Sequence, residues 1–154
     1  MRLLKRCRGF TLIELMIAVA ILAIILSVAL PSFMDSIRKG RRAEGVAAIA
    51  AVQQAQERWR AGKTDYTNNL SEAWGGTPPG LGIPATTANG RYTLSLNNSA
   101  TATGYVITAT AAGSQIDDIP CKFMAARQAA GLIEYGSSST STIDWTDANR
   151  CWAK

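Results

Sequence analysis

Hydrophobic positions divide the chain into three kinds of stretch. From Phe10 to Met34 the sequence FTLIELMIAVAILAIILSVALPSFM is apolar on every face and carries one ionisable side chain, Glu14. As a helix it spans roughly 37 Å, enough to cross a hydrocarbon core of about 30 Å. Residues 35–61 are rich in alanine and other helix formers. There Ile49, Val52, Ala55 and Trp59 recur at one-face spacing and predict a stripe that meets a sheet. Pro31 predicts a kink or local melting, Gly40 and Gly45 weaken the same region, and Gly62 predicts the stop. Residues 62–89, rich in Gly, Pro, Thr and Asn, read as an irregular connection, with Trp74 packing it onto the domain. Strand patterns follow. Tyr92, Leu94 and Leu96 alternate with polar neighbours, GYVITATA from Gly104 is a second β-rich run, and Cys121 to Ala125 a third. After a turn-like break over 128–131, Leu132 to Tyr135 predict a fourth strand, and the tail from Gly136 a long polar loop. The fold class expected is α+β, an antiparallel four-stranded sheet packed on a long helix.

The flank of the apolar run adds direction. Arg2, Lys5, Arg6 and Arg8 precede it with no acid among them, which reads as a cytoplasm-facing end. The run is too long for the apolar region of a secretory signal, and no Ala-x-Ala-like cleavage site follows it. A plain single-span anchor leaves Glu14 unexplained, because a carboxylate in hydrocarbon is costly unless it finds a partner. Arg38, Lys39, Arg41 and Arg42 follow the span, with Asp35 and Glu44 as local counter-charges, so charge alone does not settle orientation. This basic cluster suits lipid head groups, DNA phosphates or acids of a neighbouring molecule, and reads first as a solvated or subunit-paired helix face.

Gly9-Phe10-Thr11-Leu12-Ile13-Glu14-Leu15 resembles the type III signal of type IV pilins and pseudopilins. The resemblance implies a leader, residues 1–9, that a prepilin peptidase removes between Gly9 and Phe10, with methylation of the new Phe10 amine. It further implies a helix over 10–34 that is membrane anchor before assembly and filament core afterwards, and a periplasmic or extracellular domain over 35–154. In that setting Glu14 of one subunit pairs with the Phe10 amine of a neighbour. A subunit out of register leaves a buried charge unpaired, at about 3–5 kcal/mol, so Glu14 acts as a registration device. The later segments ERWRAGKTDYTNNL, RYTLSLNN and YVITATAAGSQIDD, with the Cys121 to Cys151-Trp152 ending, resemble the PilE-like group of type IVa pilins. That likeness makes 62–89 the αβ-loop and 121–151 the D-region, closed by a disulfide. Lys122-Phe123 departs from it, since many relatives carry a small residue after the first cysteine.

Composition narrows the chemistry. The 154 residues hold no histidine, which removes His-dependent catalysis and most zinc sites. The formal charge of +5 is concentrated in the leader, without which twelve basic and eleven acidic side chains leave +1. Cys7 would depart with the leader, and in an exported chain the remaining Cys121 and Cys151 read as a disulfide before a metal site. No Ser or Thr nucleophile is tied to a base by a recognisable motif, and Asp117-Asp118 read as a turn, so no enzyme activity, cofactor or metal is expected. No phosphate-binding loop is present, so assembly force is expected from a separate ATPase motor at an inner-membrane platform. The patterns at Asn69-Leu70-Ser71 and Asn97-Asn98-Ser99 read as chance, and Ser137-Ser138-Ser139 as a possible O-linked acceptor.

Three functions follow. The first is a structural subunit, major or minor, of a type IV pilus in adhesion, twitching motility and DNA uptake. It would be held in the inner membrane of a Gram-negative bacterium before assembly and be extracellular afterwards. The second is a pilin-like DNA receptor using Lys122, Arg127, Arg150 and Lys154. The third is a type II secretion pseudopilin. The two-cysteine ending favours a pilin, although Asp144 and Asp147 leave a calcium site open.

Overall fold

The computed structural model describes residues 9–97, 101, 103–146 and 151–152. The chain divides into two units, residues 1–36 and 37–154. One helix, α1 (Leu12–Arg60), enters both.

In the first unit, every residue from Gly9 to Ser36 is exposed. An apolar surface on all sides of a helix has no use for water as a neighbour. The window of highest mean hydropathy reaches 2.8, and the helix is long and apolar enough to cross a membrane. Its polar side chains fold back on the backbone: Ser27 Oγ donates to Ile24 O at 2.7 Å and Ser36 Oγ to Ser32 O at 3.0 Å. The helix continues through Pro31, so the local melting expected there does not occur. Proline removes one N–H from the ladder, and the strong helix formers on both sides carry the backbone across the gap.

In the second unit, strands β1 (Tyr92–Leu96), β2 (Gly104–Ala111), β3 (Phe123–Ala129) and β4 (Leu132–Ser138) form an antiparallel sheet in the order β1-β2-β3-β4. Burial alternates residue by residue along β2. The inner face, with Tyr92, Leu94, Tyr105, Ile107, Ala109, Met124 and Ala126, joins Ile49 and Val52 of α1 in one core. The Ile49, Val52, Ala55 and Trp59 stripe is buried as the spacing predicts, and Gly45 and Gln56 join it. Gly45 is where helix and strand come closest, since a Cβ there would meet the Tyr92 ring at 3.1–3.3 Å. Gln56 is buried because its amide behaves as a strand: Nε2 donates to Thr67 O at 2.6 Å and Oε1 accepts from Thr67 N at 3.1 Å. The helix ends near the predicted stop, with Gly62 N bonding Trp59 O at 3.1 Å. Trp74 meets Trp59 edge-on, with ring centroids 5.1 Å apart, and brings the connecting loop onto the domain.

Three strand boundaries differ from the sequence expectation. Strand β3 starts at Phe123, because Ile119–Cys121 form a 3-10 turn around Pro120. It runs through Ala129, and the turn is only Ala130-Gly131, both at positive φ (49° and 89°). Strand β4 extends past Tyr135 to Ser138, shortening the expected polar loop. That extension comes from a distant partner, since Ser137 and Asp144 exchange both backbone bonds at 3.1 and 3.2 Å. Ser137 is thereby buried, which removes it as an O-linked acceptor.

Candidate functional site

The first candidate site is the start of α1. Thr11 stands just before the helix, and its N–H and hydroxyl both donate to Glu14 Oε2 at 2.9 Å. In return Glu14 N donates to Thr11 Oγ1 at 3.3 Å. This reciprocal arrangement is a capping box, in which two otherwise orphaned backbone donors are satisfied inside the chain. Both Thr11 bonds use Oε2, so Oε1 takes part in neither. Glu14 therefore has a partner within its own chain. The Thr-x-x-Glu spacing is its local signal in the sequence. Gly9 and Phe10 lie ahead of the helix, and Phe10 is 90% exposed.

The second is the basic run of α1. Arg42 forks onto Asp118, Nε to Oδ2 and Nη2 to Oδ1, both at 2.7 Å. Arg38 reaches Asp117 at 4.0 Å, and Arg41 Nη1 donates to Ser114 Oγ at 3.1 Å. Glu44 turns to the β1 side, accepting from Arg91 Nη1 at 2.9 Å and from Asn89 Nδ2 at 3.0 Å. Burial alone would raise the Glu44 carboxyl; bonds from Thr87, Asn89 and Arg91 outweigh it and hold the group below the ordinary value of 4.5. The expected solvated face is thus, in large part, an internal lattice. Asp117-Asp118 do lie at a turn, as expected, but Asp118 is a buried partner there. No local pattern marks that pairing, 76 residues apart in sequence.

The third is the C-terminal region. Cys121 and Cys151 form a disulfide, both sulfurs buried. Beside it Trp152 Nε1 donates to Gly136 O at 3.1 Å and its ring lies 4.6 Å from that of Tyr135. Asp144 Oδ1 caps the next turn, accepting from Thr146 N at 2.8 Å and Thr146 Oγ1 at 2.6 Å. No group of three metal-ligating side chains occurs among the described residues, and Asp147 lies outside them.

An exposed apolar helix, an acid in its first turn and a disulfide-closed end behind a four-stranded sheet invite comparison with known families. The profile described as "Type IV minor pilin ComP, DNA uptake sequence receptor" matches residues 31–125. The chain belongs to this pilin family. A second profile, "Prokaryotic N-terminal methylation motif", matches residues 4–30. Similar proteins include the fimbrial protein EcpC of Eikenella corrodens, 35% identical over 103 residues, which are 67% of this chain and 61% of that one. The type IV major pilin protein PilE1 of Neisseria gonorrhoeae is 29% identical over 89% of this chain and 60% of its own length. The type IV wide pilus major component PilA4 of Thermus thermophilus is 26% identical over 90% and 95%. The pilin thus spans about three fifths of the length of the EcpC and PilE1 relatives.

Of the four basic residues expected to meet DNA, Lys122 and Arg127 are among the described residues. Lys122 is half-buried between the turn at Ile119–Cys121 and β3. Arg127 lies on the outer sheet face, bonded to Glu134 Oε2 by Nε at 2.8 Å and by Nη2 at 2.6 Å. Arg150 and Lys154 lie outside the described residues of the pilin.

Proposed function

We propose that this pilin is a structural subunit of a type IV pilus. The observation that carries the reading is a helix whose first unit is apolar and exposed on every side, with Glu14 as the one acid within its apolar span. Such a surface requires lipid or other helices around it. In this reading prepilin peptidase cuts between Gly9 and Phe10, the Phe10 amine is methylated, and the span over 10–34 leaves the inner membrane for a filament built from like chains. An assembly platform with its own ATPase supplies the work. Glu14 Oε2 stays with Thr11 while Oε1 accepts the neighbouring subunit's amine, so one carboxylate serves cap and register together. The test is mass spectrometry of sheared surface fibres. A peptide beginning at N-methylated Phe10 is the expected result; an intact leader on envelope protein, with none in fibres, would overturn it.

A second reading is favoured by the family description: a DNA receptor within such a filament. Lys122, Arg127, Arg150 and Lys154 are the proposed phosphate contacts. Duplex DNA binding should then fall steeply with salt, and charge removal at Lys122 should lower that slope by about one.

A further inference from the structure

The connection between β2 and β3 is folded with its polar side inward. Backbone bonds three residues apart give it a period of three: Gln115 N to Ala112 O at 3.0 Å, Asp118 N to Gln115 O at 2.9 Å and Cys121 N to Asp118 O at 3.0 Å. Gln115, Asp118 and Cys121 therefore share one side, and all three are buried. Ile116 and Ile119 share another and stand 47% and 65% exposed. Two isoleucines in the open beside a buried amide and a buried carboxylate reverse the usual order. The inward side is held to α1, where Asp118 takes the Arg42 fork and Gln115 bonds the Arg38 carbonyl.

Those bonds fix where along the chain the isoleucines stand. Arg38 follows Met34, the last residue of the apolar span, by four positions. Helical rise makes that about 6 Å, and full extension would allow only about 14 Å, whatever the angle between the two units. The head-group layer of a bilayer is roughly 5–7 Å deep on each side of the hydrocarbon. A span seated in lipid thus brings this connection to the head groups, and the tether makes the contact intramolecular in effect, with no need of high affinity. The chemistry suits that depth. Ile116 and Ile119 offer apolar surface for the boundary between head groups and acyl chains. Exposed Lys39, with Arg41 bonded to Ser114, offers positive charge for lipid phosphates. Arg38, 4.0 Å from the exposed Asp117, offsets the one acid among the exposed side chains of the connection.

We propose that Ile116 and Ile119 dip into the phospholipid surface around α1 and seat the sheet-bearing unit on the membrane before assembly. The proposal rests on the reading that the span over 10–34 stands in a bilayer, and the experiment separates the two. The full chain, labelled at isoleucine methyl groups, is placed one per nanodisc of phosphatidylcholine and phosphatidylglycerol, so that no second copy can cover the surface. A nitroxide on the upper acyl chain should erase the signals of Ile116 and Ile119 together with those of Ile21 and Ile24 in the span. Ile133, 50% exposed and opposite Gln128 at the far end of β3, should stay sharp. Loss in the span alone would overturn the proposal and leave the membrane reading standing. Unchanged signals throughout would overturn both, and equal loss at Ile133 would reduce the contact to undirected collision with lipid. Hydrogen exchange gives a second measurement. Ile116→Ser combined with Ile119→Ser should keep the thermal midpoint and speed exchange over 113–119 in the discs; exchange as slow as in the wild type would refute the insertion.

Discussion

Arg42 and Asp118 meet as a two-pronged pair, each carboxylate oxygen 2.7 Å from a guanidinium nitrogen. Gln115 Nε2 donates to the same carboxylate at 2.8 Å and to Arg38 O at 3.1 Å, so the connection between β2 and β3 is pinned to α1 by the Arg42 guanidinium and the Arg38 carbonyl. The side chains of Arg42 and Asp118 are 14% and 3% exposed. At that burial, removing one partner leaves a desolvated charge behind.

Asp118→Ala is therefore expected to lower unfolding stability by about 3–5 kcal/mol, read by denaturant titration of the full chain in detergent. Asp118→Asn keeps an acceptor for Gln115 and should lose less. A loss no larger than that of an exposed pair would show the contact to be incidental.

Ala130 adopts φ 49° in the two-residue turn between β3 and β4, a region that costs a Cβ-bearing residue about 1–2 kcal/mol. Ala130→Asn creates the Asn-Gly pair that such turns favour and should raise stability by about 1 kcal/mol. The thermal midpoint of the variant checks this, and it should rise.

Cys121 and Cys151 are separated by 30 residues in sequence. Replacing both with alanine should cost about 3–4 kcal/mol on the loop-closure scale. The C-terminal region, with Trp152 on Gly136, should be the first part to gain hydrogen exchange. Mass spectrometry of the unreduced wild type should find no free thiol at either position.

Acid and alkali should act through different groups. The lowered Glu44 carboxyl contributes stability that is fully present above its ordinary value of 4.5 and fades as pH falls through its folded value. At the other end burial, then the Asp118 charge, push the Tyr92 hydroxyl up to about 12 from an ordinary 10. Unfolding frees Tyr92 to ionise earlier, so stability should decline between pH 10 and 12, and Tyr92→Phe should flatten that decline. Melting against pH in the two variants, Glu44→Gln and Tyr92→Phe, reads both slopes.

At Glu14 the cap and the charge can be separated. Glutamine serves a capping box but carries no charge; leucine does neither. If register depends on charge pairing, Glu14→Gln and Glu14→Leu should both fail to enter fibres. Entry of the glutamine variant alone would assign the role to the cap.

Periodic features were legible in the sequence and contacts across it were not. The Ile49–Trp59 stripe and the boundaries of β2 are local patterns, and the structure repeats them residue for residue. Gln56 and Asp118 look like surface residues because their partners, Thr67 and Arg42, are set by tertiary approach. The end of β4 was missed for the same reason: Gly136-Ser137-Ser138 has weak strand preference of its own, and Asp144 supplies the pairing. Thr11 is the exception, a local signal hidden by the more conspicuous acid three residues on.

The β1 margin of the sheet and the far end of β4 are guarded. Along β1, Thr87 N bonds Tyr92 O at 3.0 Å and Leu94 N bonds Ala85 O at 2.6 Å, while Asp144 closes the end of β4. Molecules massed shoulder to shoulder thus find little open main chain along β1 and at the far end of β4 through which to zip together.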